Sequence, residues 1–464
     1  MIGRLDSINT TDIIYKVIAL IFIFIFYQQV LVINIGGSFK IYEFLGLILL
    51  GIFMLTDTKT IYSKYSLLLF ICFVIAPIPG NLLNFFNPIK LNYSNHFPEA
   101  ASKFRFNIWI APVLIYLYYL LNWIVINYII GSKIVFQKHK KLVKYFVISG
   151  SLISAYSFYG YFLVPKGLPD LVPGFLDYRN STPLSVHRPA GFSAEPGSYV
   201  LMVMWLLLYL IFIPDLFKTK YLQNILLFCT LILLILTQST SLIAIALAMF
   251  VFYFFLNGWK SRFNIALLIL LAAFAFGSVV AYFEIGDLVE YIFIQKVENF
   301  FSKRDYVTFN DSGAIRSYTN YIGLKVFKAN PIFGVGGGNS YFYMWAFENG
   351  NETGVITYDM LPQSAHGKIL AELGLFGYIP FLTFFLFAIF KFYQKITTKC
   401  RGFKDKYFVG TYKVGFIGTL ATLGMLLSIA PEYNLFIWVN IALMLNIVHH
   451  EKKINGHTAN TIES

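Results

Sequence analysis

Charged residues are scarce in this sequence. Asp, Glu, Lys and Arg make up 13% of the 464 residues, whereas a soluble domain has about 25%. Cysteine is rare too: the chain has three, and no Cys and His residues are spaced as metal ligands, so the sequence indicates neither a disulfide framework nor a metal site. Hydrophobic residues make up 58%. These proportions predict a single integral membrane domain over residues 1–464, all-α and polytopic.

Apolar runs recur along the whole chain. A helix needs about 20 mostly apolar residues to cross the hydrocarbon core of a membrane. No small-residue cleavage site follows the first run, so we interpret it as a transmembrane helix and not as a cleaved signal peptide. We predict about 12 transmembrane helices, a number that puts both termini on one side. Their approximate positions are 13–34, 40–56, 65–79, 107–130, 143–163, 197–214, 221–237, 240–256, 263–283, 369–390, 410–428 and 433–449.

The distribution of Lys and Arg indicates which side holds the termini. If the termini are cytoplasmic, the segments predicted inside hold 20 Lys and Arg residues, and the outer segments 80–106 and 164–196 together hold 6. A third outer segment, 284–368, holds 7 more, but long loops translocate largely regardless of charge. We therefore predict cytoplasmic termini. The net charge of +13 is explained by the cytoplasmic segments and does not indicate nucleic-acid binding.

The three outer segments contain most of the chain outside the predicted spans. We expect them to include short helices and to form an active-site region, because segment 284–368 is too long for a simple connection. Its glycine-rich stretch PIFGVGGGNS lacks the GK[ST] of a phosphate-binding P-loop. The sequence therefore predicts a protein that works at the outer surface of the membrane, away from cytoplasmic ATP.

The stretch RPAGFSAEP, residues 188–196, places charged residues directly before a predicted span. Glu195 and Pro196 fit an ordinary helix start, because proline is favoured at the first helical position and an acid is favoured near the positive end of the helix dipole. That interpretation does not account for Arg188. Both Arg188 and Glu195 are therefore candidate site residues.

A second stretch, residues 311–340, predicts an amphipathic helix on the outer side. Apolar residues recur there at helical spacing until an Asn-Pro pair ends the pattern. Lys325 and Lys328 fit cations that extend from an interfacial helix toward lipid headgroups. Arg316 fits either that role or a binding site.

A third stretch, SAHGKILAELGLFG from residue 364, opens another predicted span with a histidine. His366 can exchange protons near neutral pH. Glu372 follows about a turn and a half later, and ionisable residues inside a membrane are functional candidates. The alternative for His366 is an interfacial histidine with no task. Glu43 and Gln238, in or beside other spans, fit either functional groups or hydrogen bonds between helices.

Together these stretches resemble the O-antigen ligase/polymerase superfamily of multi-spanning membrane enzymes, and its Wzy-type polymerases most. The shared elements are R-P-x-G-x-x-x-E-P before a span, an Arg-bearing outer helix ending in N-P-x-x-G-x-G-x-G-N, and S-x-H-x-x-x-L-x-E-x-G-x-x-G entering the next span. They cover roughly residues 180–390. The chain departs from the family pattern where Gly367 follows the histidine in place of Asn, and where Gly197 follows Pro196 in place of Ser.

The resemblance implies a glycosyltransferase that joins oligosaccharide repeat units carried on undecaprenyl pyrophosphate, at the outer face of the bacterial cytoplasmic (inner) membrane. Arg188 and Arg316 would bind the pyrophosphate, because a guanidinium group is a permanently charged fork of hydrogen-bond donors. His366 or Glu195 would deprotonate the acceptor hydroxyl, and we favour His366. The resemblance implies no cofactor and no metal. The expected partners are lipid-linked oligosaccharides, membrane lipid and a chain-length regulator protein, without nucleic acid.

Two other functions fit the same sequence. One is a ligase that transfers finished polymer to lipid A-core. The other is a transporter or flippase of lipid-linked sugars with twelve spans, although transporters tend to have paired halves and broken helices near the membrane midplane and no convincing internal repeat is present here. The sequence specifies neither the sugars nor the linkage that is formed. It does not distinguish O-antigen from capsule as the product, and it does not give the oligomeric state.

Overall fold

The described residues are almost entirely helical, as the sequence predicts, with one short two-stranded hairpin. The computed structural model describes residues 7–28, 32–34, 38–55, 63–86, 89–103, 107–172, 189, 191–193, 196–217, 219–237, 239, 241–256, 312–348, 361–399, 406–429 and 434–454. The first helices are α1 (Ser7–Phe24), α2 (Ile41–Leu55), α3 (Leu67–Phe70), α4 (Pro77–Phe85), α5 (Ile89–His96), α6 (Pro98–Ser102), α7 (Ile110–Gly131), α8 (Lys133–Gln137) and α9 (His139–Phe162). They are followed by α10 (Pro196–Phe212), α11 (Lys220–Leu236), α12 (Ser241–Leu256), α13 (Ser312–Ala329), α14 (Ser340–Phe347), α15 (Ala365–Lys399), α16 (Lys406–Met425) and α17 (Leu435–Ile454).

The predicted first span, 13–34, is longer than the helix found there. Helix α1 ends at Phe24, and strand β1 (Val32–Asn34) pairs antiparallel with strand β2 (Ser38–Lys40). The stretch VLVINI is rich in Val and Ile, which favour strands. The run therefore stays apolar beyond the point where the helix stops, and its length alone gave the wrong boundary.

Each of the other predicted spans coincides with a helix, except 263–283, which lies outside the described residues. Among the described residues, three helical stretches are long and apolar enough to cross a membrane: Leu67–Phe85, in which a π-helical turn joins α3 to α4, Ile110–Gly131 and Ala365–Thr398. Shorter apolar helices lie at Ile41–Phe53, Gly197–Phe212, Lys220–Leu236 and Leu435–His450. The number of twelve spans and the cytoplasmic position of the termini stay predictions.

Among the described residues, one large hydrophobic core runs through the bundle, and a smaller one lies at the end where α4 finishes and α7 begins. The large core contains the fully buried Trp205 and Trp438. In the smaller core, Tyr93 of α5 meets the ring of Phe342 of α14 at 4.9 Å, and Ile322 of α13 packs into the same cluster. Helix α13 and the short helices α5 and α14 are thus fixed to one end of the bundle. This end also holds the start of α15, and we call it the His366 end.

Candidate active site

Helix α15 is broken at Gly374. This residue has φ 60° and ψ −161°, a combination that is essentially restricted to glycine. In an unbroken helix, His366 and Tyr378 would be separated by about 18 Å along the axis, because each residue adds about 1.5 Å. Instead, Nδ1 of His366 lies 3.0 Å from the hydroxyl oxygen of Tyr378. The break therefore folds the two parts of α15 toward each other.

Both ring nitrogens of the half-buried His366 have partners. Nε2 lies 3.1 Å from the carbonyl oxygen of Leu423, and a carbonyl only accepts, so this nitrogen carries the proton. Nδ1 then accepts a hydrogen bond from the hydroxyl of Tyr378. The ring of Phe381 packs edge-on against the imidazole with 5.6 Å between centroids. When the imidazole is neutral, these contacts therefore leave Nδ1 as the nitrogen that can take a proton.

The first turn of α15 is anchored to the end of α16. The hydroxyl oxygen of Ser364 accepts the N–H of Gly367 at 3.2 Å, as an N-cap residue does. The N–H of Ala365 is shared between the carbonyl oxygens of Leu426 and Ile429, each at 3.0 Å. The serine of the S-x-H element therefore positions the histidine by capping its helix.

Helix α13 packs against this first turn and brings Arg316 to the region. A Cβ atom on Gly367 would lie 3.2 Å from Oδ1 of Asn320. Arg316 precedes Asn320 by four residues, so both lie on one face of α13. The half-buried Arg316 therefore lies one helical turn before Asn320, on the face of α13 that contacts Gly367, the residue next to His366.

The carboxylate of Glu372 is fully buried and has its partners inside the protein. Its Oε1 accepts the hydroxyl of Ser340 at 2.6 Å, and its Oε2 accepts the N–H of Gly338 at 3.0 Å. Nζ of Lys368, also fully buried, lies 3.8 Å from Oε2. Glu372 therefore ties the glycine-rich loop, residues 330–339, to α15, which is a structural role for this functional candidate.

The glycine-rich loop also supplies hydrogen bonds to the backbone around the break in α15. Bonds of 2.7–3.0 Å run on both sides of Gly374, from Val335 N to Ala371 O, Gly336 N to Glu372 O, Leu375 N to Pro331 O and Phe376 N to Ile332 O. A Cβ atom on Gly374 would lie 2.6 Å from the backbone nitrogen of Gly334, which is shorter than the contacts that Cβ atoms make in proteins. The glycine-rich loop and the break in α15 at Gly374 therefore stabilise each other.

Arg188 and Glu195 lie outside the described residues, so their roles stay predictions. Helix α10 begins at Pro196, as the sequence predicts. A Cβ atom on Gly197 would lie 3.8 Å from Cγ1 of Ile429, in the segment that anchors α15. The helix that follows Glu195 therefore starts beside the anchor of the His366 helix.

The other ionisable candidates have local explanations, where they are described. Nζ of Lys325 lies over a tyrosine ring of its own helix, 4.9 Å from the centroid, and Lys328 is exposed. Oε2 of Glu43 accepts the N–H of Lys40 at 3.0 Å and so caps the start of α2, and its interpretation as a hydrogen-bonding group between helices stays a prediction. Gln238 lies outside the described residues.

Tyr378 and Asn320 are two residues of this region that the sequence does not predict. Tyr378 stands twelve residues after His366, too far for a contact within one helix, and the sequence does not distinguish Gly374 from Gly367 and Gly377 as the residue where the helix breaks. Asn320 lies four residues after Arg316, a spacing that could have indicated a shared face. Within the described ranges, no three His, Cys, Asp or Glu side chains come together as a metal ion requires.

A family model described as O-antigen ligase matches residues 225–382. This match confirms the resemblance to the O-antigen ligase/polymerase superfamily. The matched range contains Arg316 and His366 and ends before α15 does, and it does not include Arg188 or Glu195. A search of curated proteins found no match. The family and the apolar helices together indicate a membrane protein with glycosyltransferase-like, O-antigen ligase/polymerase-type activity in polysaccharide assembly.

Proposed function

We propose that the protein is a polymerase of O-antigen or a related surface polysaccharide, acting at the outer face of the bacterial inner membrane. Its substrates would be oligosaccharide repeat units carried on undecaprenyl pyrophosphate. The observation that carries the proposal is the meeting of α13, which bears Arg316, with the first turn of α15, which bears His366 as a tautomer able to accept a proton.

The reaction needs two kinds of group. A hydroxyl of the acceptor sugar attacks the anomeric carbon of the donor, the bond from that carbon to the phosphate oxygen breaks, and undecaprenyl pyrophosphate leaves with the bonding electrons. Nδ1 of His366 takes the hydroxyl proton, after the acceptor displaces the hydroxyl of Tyr378. One positioned base contributes about 10²–10⁴-fold to such a rate. The arginines Arg316 and Arg188 stabilise the charge that develops on the leaving group.

Ligase activity is the second candidate, and the description of the matching family favours it. A ligase breaks the same sugar–phosphate bond and needs the same cations and base. The two functions differ only in the acceptor, which is a lipid-linked glycan for a polymerase and lipid A-core for a ligase. An assay that offers both acceptors therefore separates them.

The test uses the purified full-length protein with lipid-linked repeat units and no ATP, followed by separation of the glycans and measurement of released undecaprenyl pyrophosphate. The wild type is expected to form longer glycans. Arg316→Ala should abolish donor binding and glycan formation. Arg316→Lys should retain only part of both, because lysine keeps the charge but loses the two-pronged hydrogen bonding. His366→Ala should keep donor binding and lose transfer.

Lys328→Ala is the matched control, because Lys328 is an exposed cation at the far end of the same helix. It should behave as the wild type. Glycan transfer to added lipid A-core alone would show that the protein is a ligase and not a polymerase. Passage of lipid-linked sugar across sealed vesicles without any glycan transfer would reject both enzymes in favour of a flippase.

A further inference from the structure

A groove opens at the His366 end between the end of α4 and the start of α7. Its volume is about 380 Å³, within the range of about 300–1,000 Å³ that is usual for small-molecule sites. The walls are almost wholly apolar and aromatic, and one ammonium group lies among them. The main lining residues are Leu82, Phe85, Lys90, Trp109, Val113 and Tyr116.

The ammonium group belongs to Lys90 of α5, which is only 5% exposed. Its Nζ lies 6.0 Å from the ring centroid of Trp109 and 5.9 Å from that of Phe342. No carboxylate in the described part of the chain forms an ion pair with it. Burial lowers the pKa of Lys90 to about 8. A buried cation without a counter-charge is unfavourable, so the groove is complementary to a ligand that brings a negative charge.

The apolar walls of the groove are open on the outside of the bundle. Leu82 is 65% exposed and Val113 is 56% exposed. The candidate spans Leu67–Phe85 and Ile110–Gly131 end and begin beside Lys90, so in a membrane Lys90 lies near headgroup level and the walls continue toward the hydrocarbon. Such a groove fits an amphiphile with an anionic head and an apolar tail.

The groove is connected to the proposed active site. Oδ1 of Asn81, in the groove wall, accepts a hydrogen bond from Nδ2 of Asn339 at 2.7 Å, and Nδ2 of Asn84 donates to the carbonyl oxygen of Val335 at 2.7 Å. Asn339 and Val335 belong to the glycine-rich loop that Glu372 ties to α15. A headgroup at Lys90 is therefore on the same end of the protein as His366.

We propose that this groove binds a polyprenyl (pyro)phosphate, with the phosphate against Nζ of Lys90 and the polyprenyl chain along the α4 and α7 walls. The inference rests on the proposed function, because joining two lipid-linked glycans requires two lipid-phosphate sites at once. Arg316 serves the donor, and the Lys90 groove serves the lipid of the acceptor. No bond is made or broken in the groove, which holds the acceptor lipid while its sugar reaches His366.

The experiment measures binding of unglycosylated undecaprenyl phosphate and undecaprenyl pyrophosphate to the detergent-solubilised full-length protein, so it does not depend on polymer formation. The wild type should bind two molecules per chain. Lys90→Met, which keeps the length of the apolar side chain, should weaken one of the two sites by about tenfold to a hundredfold, the usual effect of losing a hydrogen bond to a charged group. Lys90→Arg should retain both sites, and Arg316→Ala should lose only the other one.

Three outcomes would overturn the inference: a single site in the wild type, two unchanged sites in Lys90→Met, or displacement from the Lys90 site by phosphatidylglycerol as readily as by undecaprenyl phosphate. The last would make the groove a site for bulk anionic lipid. A thermal unfolding temperature of Lys90→Met equal to that of the wild type shows that this variant is folded. If Lys90→Met does not fold, the test is made on Lys90→Arg, and loss of a binding site in a folded Lys90→Arg would also overturn the inference. Failure of the proposed function would appear separately, as absence of glycan elongation by the wild type.

Discussion

Replacement of Glu372 by alanine is expected to unfold the His366 end. The carboxylate accepts hydrogen bonds from Gly338 and Ser340 and lies beside the buried ammonium of Lys368. A buried donor left without its acceptor costs about 1–3 kcal/mol, and removing one partner of a buried ion pair costs about 3–5 kcal/mol. The three contacts share one carboxylate and are not additive. We therefore expect a loss of about 3–5 kcal/mol in the free energy of unfolding.

The measurement is thermal or denaturant unfolding of the purified protein in detergent, alongside the transfer assay. Glu372→Gln should lose less, because its amide oxygen can still accept the N–H of Gly338 and its NH₂ can donate to Ser340. Glu99→Ala is the control, since Glu99 is exposed on α6, and such surface changes usually stay within about 0.5 kcal/mol.

Activity should fall with stability in Glu372→Ala, because the glycine-rich loop that it releases also bonds the backbone around the break between His366 and Tyr378. Combining Glu372→Gln with Lys368→Met should recover stability relative to Glu372→Gln alone, because the buried ammonium is removed with the carboxylate. An alanine variant that unfolds and reacts as the wild type would show that the carboxylate does not hold the loop.

Two further substitutions test the break and the histidine. Gly374→Ala should destabilise the protein, because the backbone conformation at this position costs a non-glycine residue about 1–3 kcal/mol and the new Cβ would clash with the loop backbone. Unfolding measurements check this. The control is Gly51→Ala, whose Cβ would have no atom within 4 Å, and it should be as stable as the wild type or slightly more stable. Equal stability of both variants would contradict the break. Tyr378→Phe should leave donor binding unchanged and speed transfer by up to about tenfold, because the acceptor no longer has to displace one neutral hydrogen bond from Nδ1 of His366. A loss of transfer as large as that in His366→Ala would mean that Tyr378 itself handles the proton.

The helices could be predicted from the sequence because apolar runs of sufficient length have few alternatives in a membrane. The end of α13 before Asn330 and the start of α10 at Pro196 could be predicted too, because proline acts locally. The break in α15 could not. Gly374 stands in an apolar run that is compatible with one continuous helix, and the conformation it adopts depends on hydrogen bonds to a loop some forty residues earlier in the chain.

The glycine-rich loop bears on how the anion of the proposed substrate would be bound. In a P-loop, the backbone N–H groups of such a loop point at phosphate oxygens. Here the N–H of Gly336 donates to the carbonyl oxygen of Glu372, and the N–H of Gly338 donates to the carboxylate of the same residue. These donors are therefore already engaged within the protein. In the proposed function, a pyrophosphate at this end of the molecule would need cations from side chains, and the described residues offer Arg316 and Lys90.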